Sequence, residues 1–448
     1  MNLPNYIKLF FLCSVNILFN CASDNERSLN NYNHTIEIDR IITLGGTKNE
    51  SGQSIVSTSD GGFAILGYSQ SMDGDILNKS DTSYDYWLLK FDGNGNQEWQ
   101  KVYGGSNDDK GQDLIISDDG GFLVFGSSKS NDGDVSYNSG SYDFWISKLS
   151  NSGEISWEKS FGYSGSDNGY SIIQTNDNGY LISGVLDVSA SDGEGNSRMS
   201  SSRHAGGDYW VIKLDQNGTQ QWSRYFGGSF TDTAYASTQT QNGDYIIVGS
   251  SDSDDIDIEN NKGTYDFWVI KISSSGTLIW EKSFGGNEID EALDILTTND
   301  GNFLICGNTR SMNSNVSLNN GAADSWVVKI NLEGELLWEK SFGGSSFDGS
   351  KAIIETHDNE YIIVGNSRSE NIDLTNNNGQ NDAWIFKINQ NGILQWQTSL
   401  GGTNIDLLMD VTELENGSIV AVGNSSSSDL DISENKGFTD LLLIQIEQ

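Results

Sequence analysis

Proline is nearly absent from this chain, occurring once in 448 residues, at Pro4. Cysteine is scarce as well: Cys13, Cys21 and Cys306. Of these, only Cys306 lies in the body of the sequence, in the apolar run FLICG, so no intramolecular disulfide can staple the domain. A hydrophobic core must hold it together, with Cys306 read as a small buried hydrophobe. Basic residues are few, with Lys+Arg 25 against Asp+Glu 63 and a formal net charge of -38. That balance excludes nucleic acid and anionic membrane surfaces as partners, because both need clustered Lys and Arg. Three histidines, His34, His204 and His357, leave little material for acid-base catalysis. No Ser-His-Asp order, H-E-x-x-H, P-loop or dinucleotide fingerprint is present. Helical periodicity is missing throughout. Aromatic residues are not: they make up 10% of the chain and are spread along it, which excludes an acidic disordered chain.

What the sequence does have is a repeat. A Gly-Gly pair, once Gly-Tyr, begins at Gly45, Gly104, Gly162, Gly227, Gly285, Gly343 and Gly401, in steps of 59, 58, 65, 58, 58 and 58. Five residues on comes an acid: Glu50, Asp109, Asp167, Asp232, Asp290, Asp348 and Asp406. A turn follows, as at Asp60-Gly61-Gly62, then Asp-x-Trp, as at Asp85/Trp87, then Gly-x-x-x-Trp, as at Gly95/Trp99. All 12 tryptophans occupy these two repeated positions, which reads as packing between repeats rather than a carbohydrate platform. A lysine recurs after the first of them, at Lys90, Lys148, Lys213, Lys271, Lys329 and Lys387, and reads as a strand lysine paired with a neighbouring acid.

Between these landmarks the first copy holds four β-branched or aromatic-rich segments, at 54–58, 63–68, 86–91 and 97–103, bounded by turn residues. Four antiparallel strands in each of seven copies describe an all-β, seven-bladed β-propeller of four-stranded blades. An open solenoid is the alternative. The ends decide between them. The seventh copy stops after its third strand at Gln448, and residues 36–44 (IEIDRIITL) stand where every later copy has its fourth. The N-terminal strand is therefore expected to complete the last blade and close the ring, which removes the open edges.

Residues 1–20 carry Lys8 and an apolar run too short to span a bilayer, the pattern of a signal peptide. Leu18-Phe19-Asn20-Cys21 resembles a bacterial lipobox, and Ser23, Asp24 and Glu26 resemble the acidic export signal of Bacteroidetes surface lipoproteins. The resemblance implies lipidation at Cys21, a polar tether over 21–35, a propeller over 36–448 and an exported, outer-membrane or cell-surface location. The membrane would then be engaged only through the lipid, and the protein is expected to be monomeric. The unit GGSSFDGSKAIIETHDNEYIIVGNSRS with its later DAWIFKINQNG resembles the SBBP repeat, a propeller repeat of bacterial exported proteins. That resemblance implies the fold and no single activity. Asp92/Gly95/Trp99 and Asp215/Gly218/Trp222 are similar to the Trp-docking repeat of quinoprotein dehydrogenases, without identifiable cofactor residues.

Alternating strand direction puts the loop into strand one and the long loop between strands two and three on one face. Both are acidic, so much of the net charge is expected there. Asp73, Asp75 and Asp85, with Asp132, Asp134 and Asp143 and with Asp255, Asp257 and Asp266, form oxygen-rich loops that suit a hard cation such as Ca²⁺ or, in the plainer reading, Asx turns. The third copy is longer and brings Arg198, Arg203 and His204 to that face, the first place to look for a ligand site. The functional expectation is a non-catalytic binding or scaffolding module for a surface glycan, a protein, with a basic one suiting the charge, or a cation. The competing class is an exported carbohydrate-active hydrolase or lyase using acids near the central channel.

Overall fold

The computed structural model describes residues 36–195 and 204–447. Among them are 28 strands and seven four-stranded sheets. The first blade is β2 (Glu50–Ser57), β3 (Phe63–Ser69), β4 (Asp85–Phe91) and β5 (Gln97–Tyr103), antiparallel and in that order. The ring closes as the repeat arithmetic requires. The last blade has β26 (Asp406–Glu413), β27 (Ile419–Ser425) and β28 (Asp440–Glu447), with β1 (Glu37–Leu44) as its fourth strand, in register from Glu37↔Glu447 to Leu44↔Leu441.

The core lies between blades rather than within them. Each of seven apolar clusters joins two neighbours: Leu66, Tyr86 and Leu88 of the first blade pack with Leu114, Val124 and Trp145 of the second. The last blade meets the first through Val422, Leu441 and Leu443 against Ile65 and Trp87, with Ile42 and Leu44 of the closing strand beside them. Cys306 is fully buried in the cluster between blades five and six, as its apolar context predicts. The Trp of each Asp-x-Trp is buried to 2% exposure or less. The second Trp works at the periphery, where Trp99 packs against Gly153 of the next blade. A Cβ on that glycine would lie 3.2 Å from the indole, so the docked turn needs glycine there. The repeated lysines meet the acid of their own blade's tight turn, as in Lys148–Asp119 at 2.6 Å and Lys329–Asp300 at 2.7 Å.

The first strand begins earlier than its apolar content predicts, because the acid five residues after the Gly-Gly pair is already in the ladder, Glu50 opposite Ser69. Those acids also correct the expectation about charge. All seven are fully buried, and the six Asp-x-Trp aspartates with Asp440, their counterpart before Leu442, are no more than 6% exposed, so fourteen carboxylates are withdrawn from the rim. Their work is local. In the second blade Asp109 accepts the Gly105 amide at 2.8 Å and a hydroxyl from Ser130 at 2.9 Å, folding the loop back onto the strand. Asp266 accepts the amide of Lys262 at 2.8 Å in the same manner for the longer loop. Gly104 is wedged between Asp85 and Asp109, where a Cβ would stand 2.5 and 2.6 Å from their oxygens, and this explains why the motif begins with glycine.

Candidate functional site: the channel mouth

Inner strands β2, β6 (Asp109–Ile116), β10 (Asn168–Gln174), β14 (Asp232–Gln239), β18 (Asp290–Thr297), β22 (Asp348–Glu355) and β26 surround the central channel, each first in its sheet and next to the inner strands of its neighbours. Their first halves open on the face that carries the long loops. Nine residues after each first glycine stand Ser54, Asp113, Ser171, Ala236, Asp294, Ala352 and Asp410. Only three of the seven are acids, so this register breaks the sevenfold repeat.

Each of these aspartates ties two blades together. Asp113 accepts the Leu114 amide at 2.8 Å and the Ile172 amide of the next blade at 2.7 Å. Asp294 accepts those of Ile295 at 2.7 Å and Ile353 at 2.9 Å, and Asp410 those of Val411 and Ile55, both at 2.8 Å. Burial raises Asp113 and Asp294 to about 6 and Asp410 to about 8; the other two carboxylates add to the push on Asp410, and the amide bonds oppose it.

Above this collar the residues again differ blade by blade. Lys110 lies 4.7 Å from the ring centre of Tyr84 and 5.6 Å from that of Tyr68, and those two rings meet edge to face at 5.4 Å. Lys129 lies 5.8 Å from the Tyr142 ring. Tyr170 and Tyr235 of adjacent inner strands stand 5.3 Å apart. Phe347 is held between Arg310 and Arg368, each guanidinium 6.0 Å from its ring centre. Lys351 lines the inner strand beneath them; burial pushes its amine down, and the charge of Glu291 opposes that push. Such distances are those of cation–π contacts. Among the described residues, none of Lys110, Lys129, Arg310, Lys351 and Arg368 forms an ion pair. Other described bases, Lys48, Lys159, Lys282 and Lys340 among them, also make no ion pair, so what sets these five apart is that they gather at one opening, where Arg368 donates to Asn381 at 2.6 Å.

The residues singled out from sequence lie elsewhere. Arg198 and Arg203 fall outside the described residues. His204 is buried, its Nδ1 2.6 Å from Asp208 and its ring edge-on to Tyr225 at 5.0 Å. Burial disfavours its charge, but the bond to Asp208 outweighs this and holds its pKa above the ordinary value. The described part of this loop packs outward on β13 (Gln220–Phe226), where Tyr225 donates to the Gly193 carbonyl at 3.3 Å. It does not reach the mouth.

The loop acids cap amides. Asp73 accepts the Thr47 amide at 2.9 Å and Asp75 that of Gly45 at 2.9 Å. Asp132 and Asp134 do the same for Ser106 at 2.7 Å and Gly104 at 3.2 Å, and Asp255 and Asp257 for Ser229 at 2.9 Å and Gly227 at 3.4 Å. Asn313 and Asn315 take the equivalent places in blade five with an amide oxygen, at 3.0 and 3.3 Å. An acceptor rather than a charge is what these loops need. Asp85, with Asp132 and Asp134, borders a cavity of about 290 Å³ between blades one and two. Lys79, its side chain wholly buried, fills the role of cation there, bonded to Asp81 and Asp85. Asp143 accepts the Ser139 amide at 2.5 Å.

Neither a family description nor a curated protein matches the chain, so the SBBP resemblance rests on the repeat residues themselves. Solved structures do match. The WD40 β-propeller domain of Doa1 is similar with a TM-score of 0.52 at 10% identity, over 92% of this chain and 97% of that one. The Neurospora crassa Pan2 WD40 domain is similar with a TM-score of 0.50 at 11% identity, again over 92% and 97%. At such identities the likeness speaks for the fold alone: a closed seven-bladed propeller.

Proposed function

We propose that this protein is a non-catalytic binding module that takes its ligand at the channel mouth. Propellers commonly serve as binding or scaffolding modules, and the mouth is where this one departs from its own repeat. The observation that carries the reading is the set of aromatic-packed cations, Lys110, Lys129, Arg310 and Arg368, left without acid partners around one opening. The lysine that recurs after the first Trp, by contrast, is paired with an acid in all six blades that carry it. The context proposed for it is the cell surface, with the propeller carried on a lipidated Cys21 by the tether that follows.

A carbohydrate-active enzyme would need a channel acid free to give or take a proton. Asp113, Asp294 and Asp410 have pKa values in a useful range, but each uses both oxygens on backbone amides of two strands. Moving a proton at any of them would disturb the contact between blades, which favours a structural role. The test is a glycan array probed with the protein, followed by titration of the strongest hit. Replacing Tyr84→Ala and Lys110→Ala together is expected to weaken binding by about tenfold or more, the loss of one good contact in a desolvated site. Binding unchanged by that pair would overturn the assignment of the mouth.

A further inference from the structure

The cations of the mouth fall into two groups. Lys110 and Lys129 belong to blade two, and Arg310, Lys351 and Arg368 to blades five and six, across the ring. Between them on one side lie Tyr170, Tyr235, Tyr265 and Glu291, near enough that Tyr265 and Glu291 both raise the Tyr235 hydroxyl, after burial and Tyr170. Aromatic faces accompany the cations at both ends, Tyr68, Tyr84 and Tyr142 at one and Phe347 at the other. All these rings are partly exposed.

A neutral ligand gives no reason for five unpaired cations in a chain of net charge -38. A small single anion would be served by one group. Two cationic groups separated by aromatic and polar surface fit an extended ligand that alternates planar apolar faces with negative charges. Sugar rings present such faces to Tyr and Phe, their hydroxyls meet the phenol oxygens, and uronic acids carry a carboxylate on each ring.

Resting on the assignment of the mouth as the binding site, we propose that the ligand is an acidic polysaccharide of the uronate class, laid across the channel opening. Its carboxylates pair with Arg310 and Arg368 at one end and with Lys110 and Lys129 at the other, and its rings lie on Phe347, Tyr84 and Tyr142. Lys351 sits deeper, where burial disfavours its ammonium ion and an entering carboxylate restores it. The negative charge of the remaining surface then acts as a filter. Long-range repulsion slows anions that lack matched contacts, and screening by salt relaxes it.

Calorimetric titration with polygalacturonate, its fully methyl-esterified form and poly-glutamate separates the alternatives. Polygalacturonate is expected to bind, and esterification or the double variant Arg310→Gln, Arg368→Gln to weaken it at least about tenfold, with wild-type melting confirming that the variant folds. Equal binding of the esterified polymer would overturn the charged class while leaving the mouth in place, provided the Tyr84, Lys110 variant still loses affinity. Equal or tighter binding of poly-glutamate would replace the glycan with an acidic peptide. Failure of all three polymers to bind would overturn the uronate proposal; the mouth itself falls only if array hits also ignore the Tyr84, Lys110 variant.

Discussion

Deleting residues 36–44 is expected to abolish the single cooperative melting transition or lower its midpoint by at least about 10 °C, the largest stability effect available to one short segment. The strand β1 pairs with β28 from Glu37 to Leu44, with one bulge between Ile38 and Arg40. Its Ile38 and Ile41 pack into the core between blades six and seven, and Ile42 and Leu44 into that between blades seven and one. Arg40 also donates to the Gly95 carbonyl of the first blade at 2.5 Å, so β1 clasps both sides of the junction. Without it β28 becomes an open edge and the ring loses its closure. Because a truncated chain can fail for other reasons, a circular permutant supplies the control. The pairing of Glu37 with Glu447 places the two ends side by side. Joining 447 to 36 by a short turn and opening the chain before Gly45 makes the last blade continuous, and this permutant is expected to melt like the parent. A deletion that melts unchanged would show that β1 does not close the ring.

Stability is expected to fall as pH rises from about 4 to 8, opposite to the trend of most acidic proteins. Burial raises Asp143, Asp167, Asp208, Asp266, Asp382 and Asp440 to about 6, and Asp85 and Asp232 to about 7. Asp410 goes to about 8. A carboxylate whose folded pKa lies above its unfolded value near 3.8 contributes stability that is fully present below that value. This contribution is lost as pH rises through the folded pKa. At one unit per about 1.4 kcal/mol, a buried group such as Asp410 accounts for a few kcal/mol over that window. The turn acids act in the other direction. Asp60, where desolvation is outweighed by bonds from Thr58 and Lys90, and Asp119, bonded by Lys148 and Ser117, sit near 2, so their stabilisation is lost only as pH falls below about 4. The maximum should therefore lie near pH 4. Asp410→Ala is a tolerable probe, since Ala236 and Ala352 hold the same place in other blades. It should flatten the decline up to about pH 8, most visibly between about 6 and 8, where few other groups contribute. A melting temperature that rises steadily across this range would contradict the account.

The fold was open to reading because its determinants repeat. Glycine at Gly104 and the acid at Asp109 each perform one geometric task seven times over, and each tryptophan position recurs six times, so periodicity exposes such tasks even where a single strand is ambiguous. Strand starts were less legible. An aspartate is a poor strand former, and only its bonds to the Gly105 amide and the Ser130 hydroxyl show that Asp109 belongs to the ladder. The same acids were assigned to the surface because a charged loop residue is ordinarily solvated, whereas here backbone amides and hydroxyls replace water. The mouth was hidden for the opposite reason. Lys110, Tyr170, Glu291, Lys351 and Asp410 lie in the first strand of different repeats but follow no common residue pattern, so a search for the repeat discards them as noise. The usable signal was that variability itself: inner-strand positions that differ between blades face the channel, and positions that do not vary hold the blades. Conversely, the longer third repeat stood out by length, yet its His204 is occupied by Asp208 at the periphery.

The central claim is that ligand is held at the channel mouth and not on the acidic rim. Hydroxyl-radical footprinting with and without polygalacturonate tests it most directly, because aromatic side chains report on both places. Tyr84, Tyr142 and Phe347 line the mouth, while Tyr137, Phe230 and Phe438 stand 58%, 59% and 71% exposed on the outer loops. Protection of the first three with no change in the second three is the result predicted. Protection confined to Tyr137, Phe230 or Phe438 would contradict it.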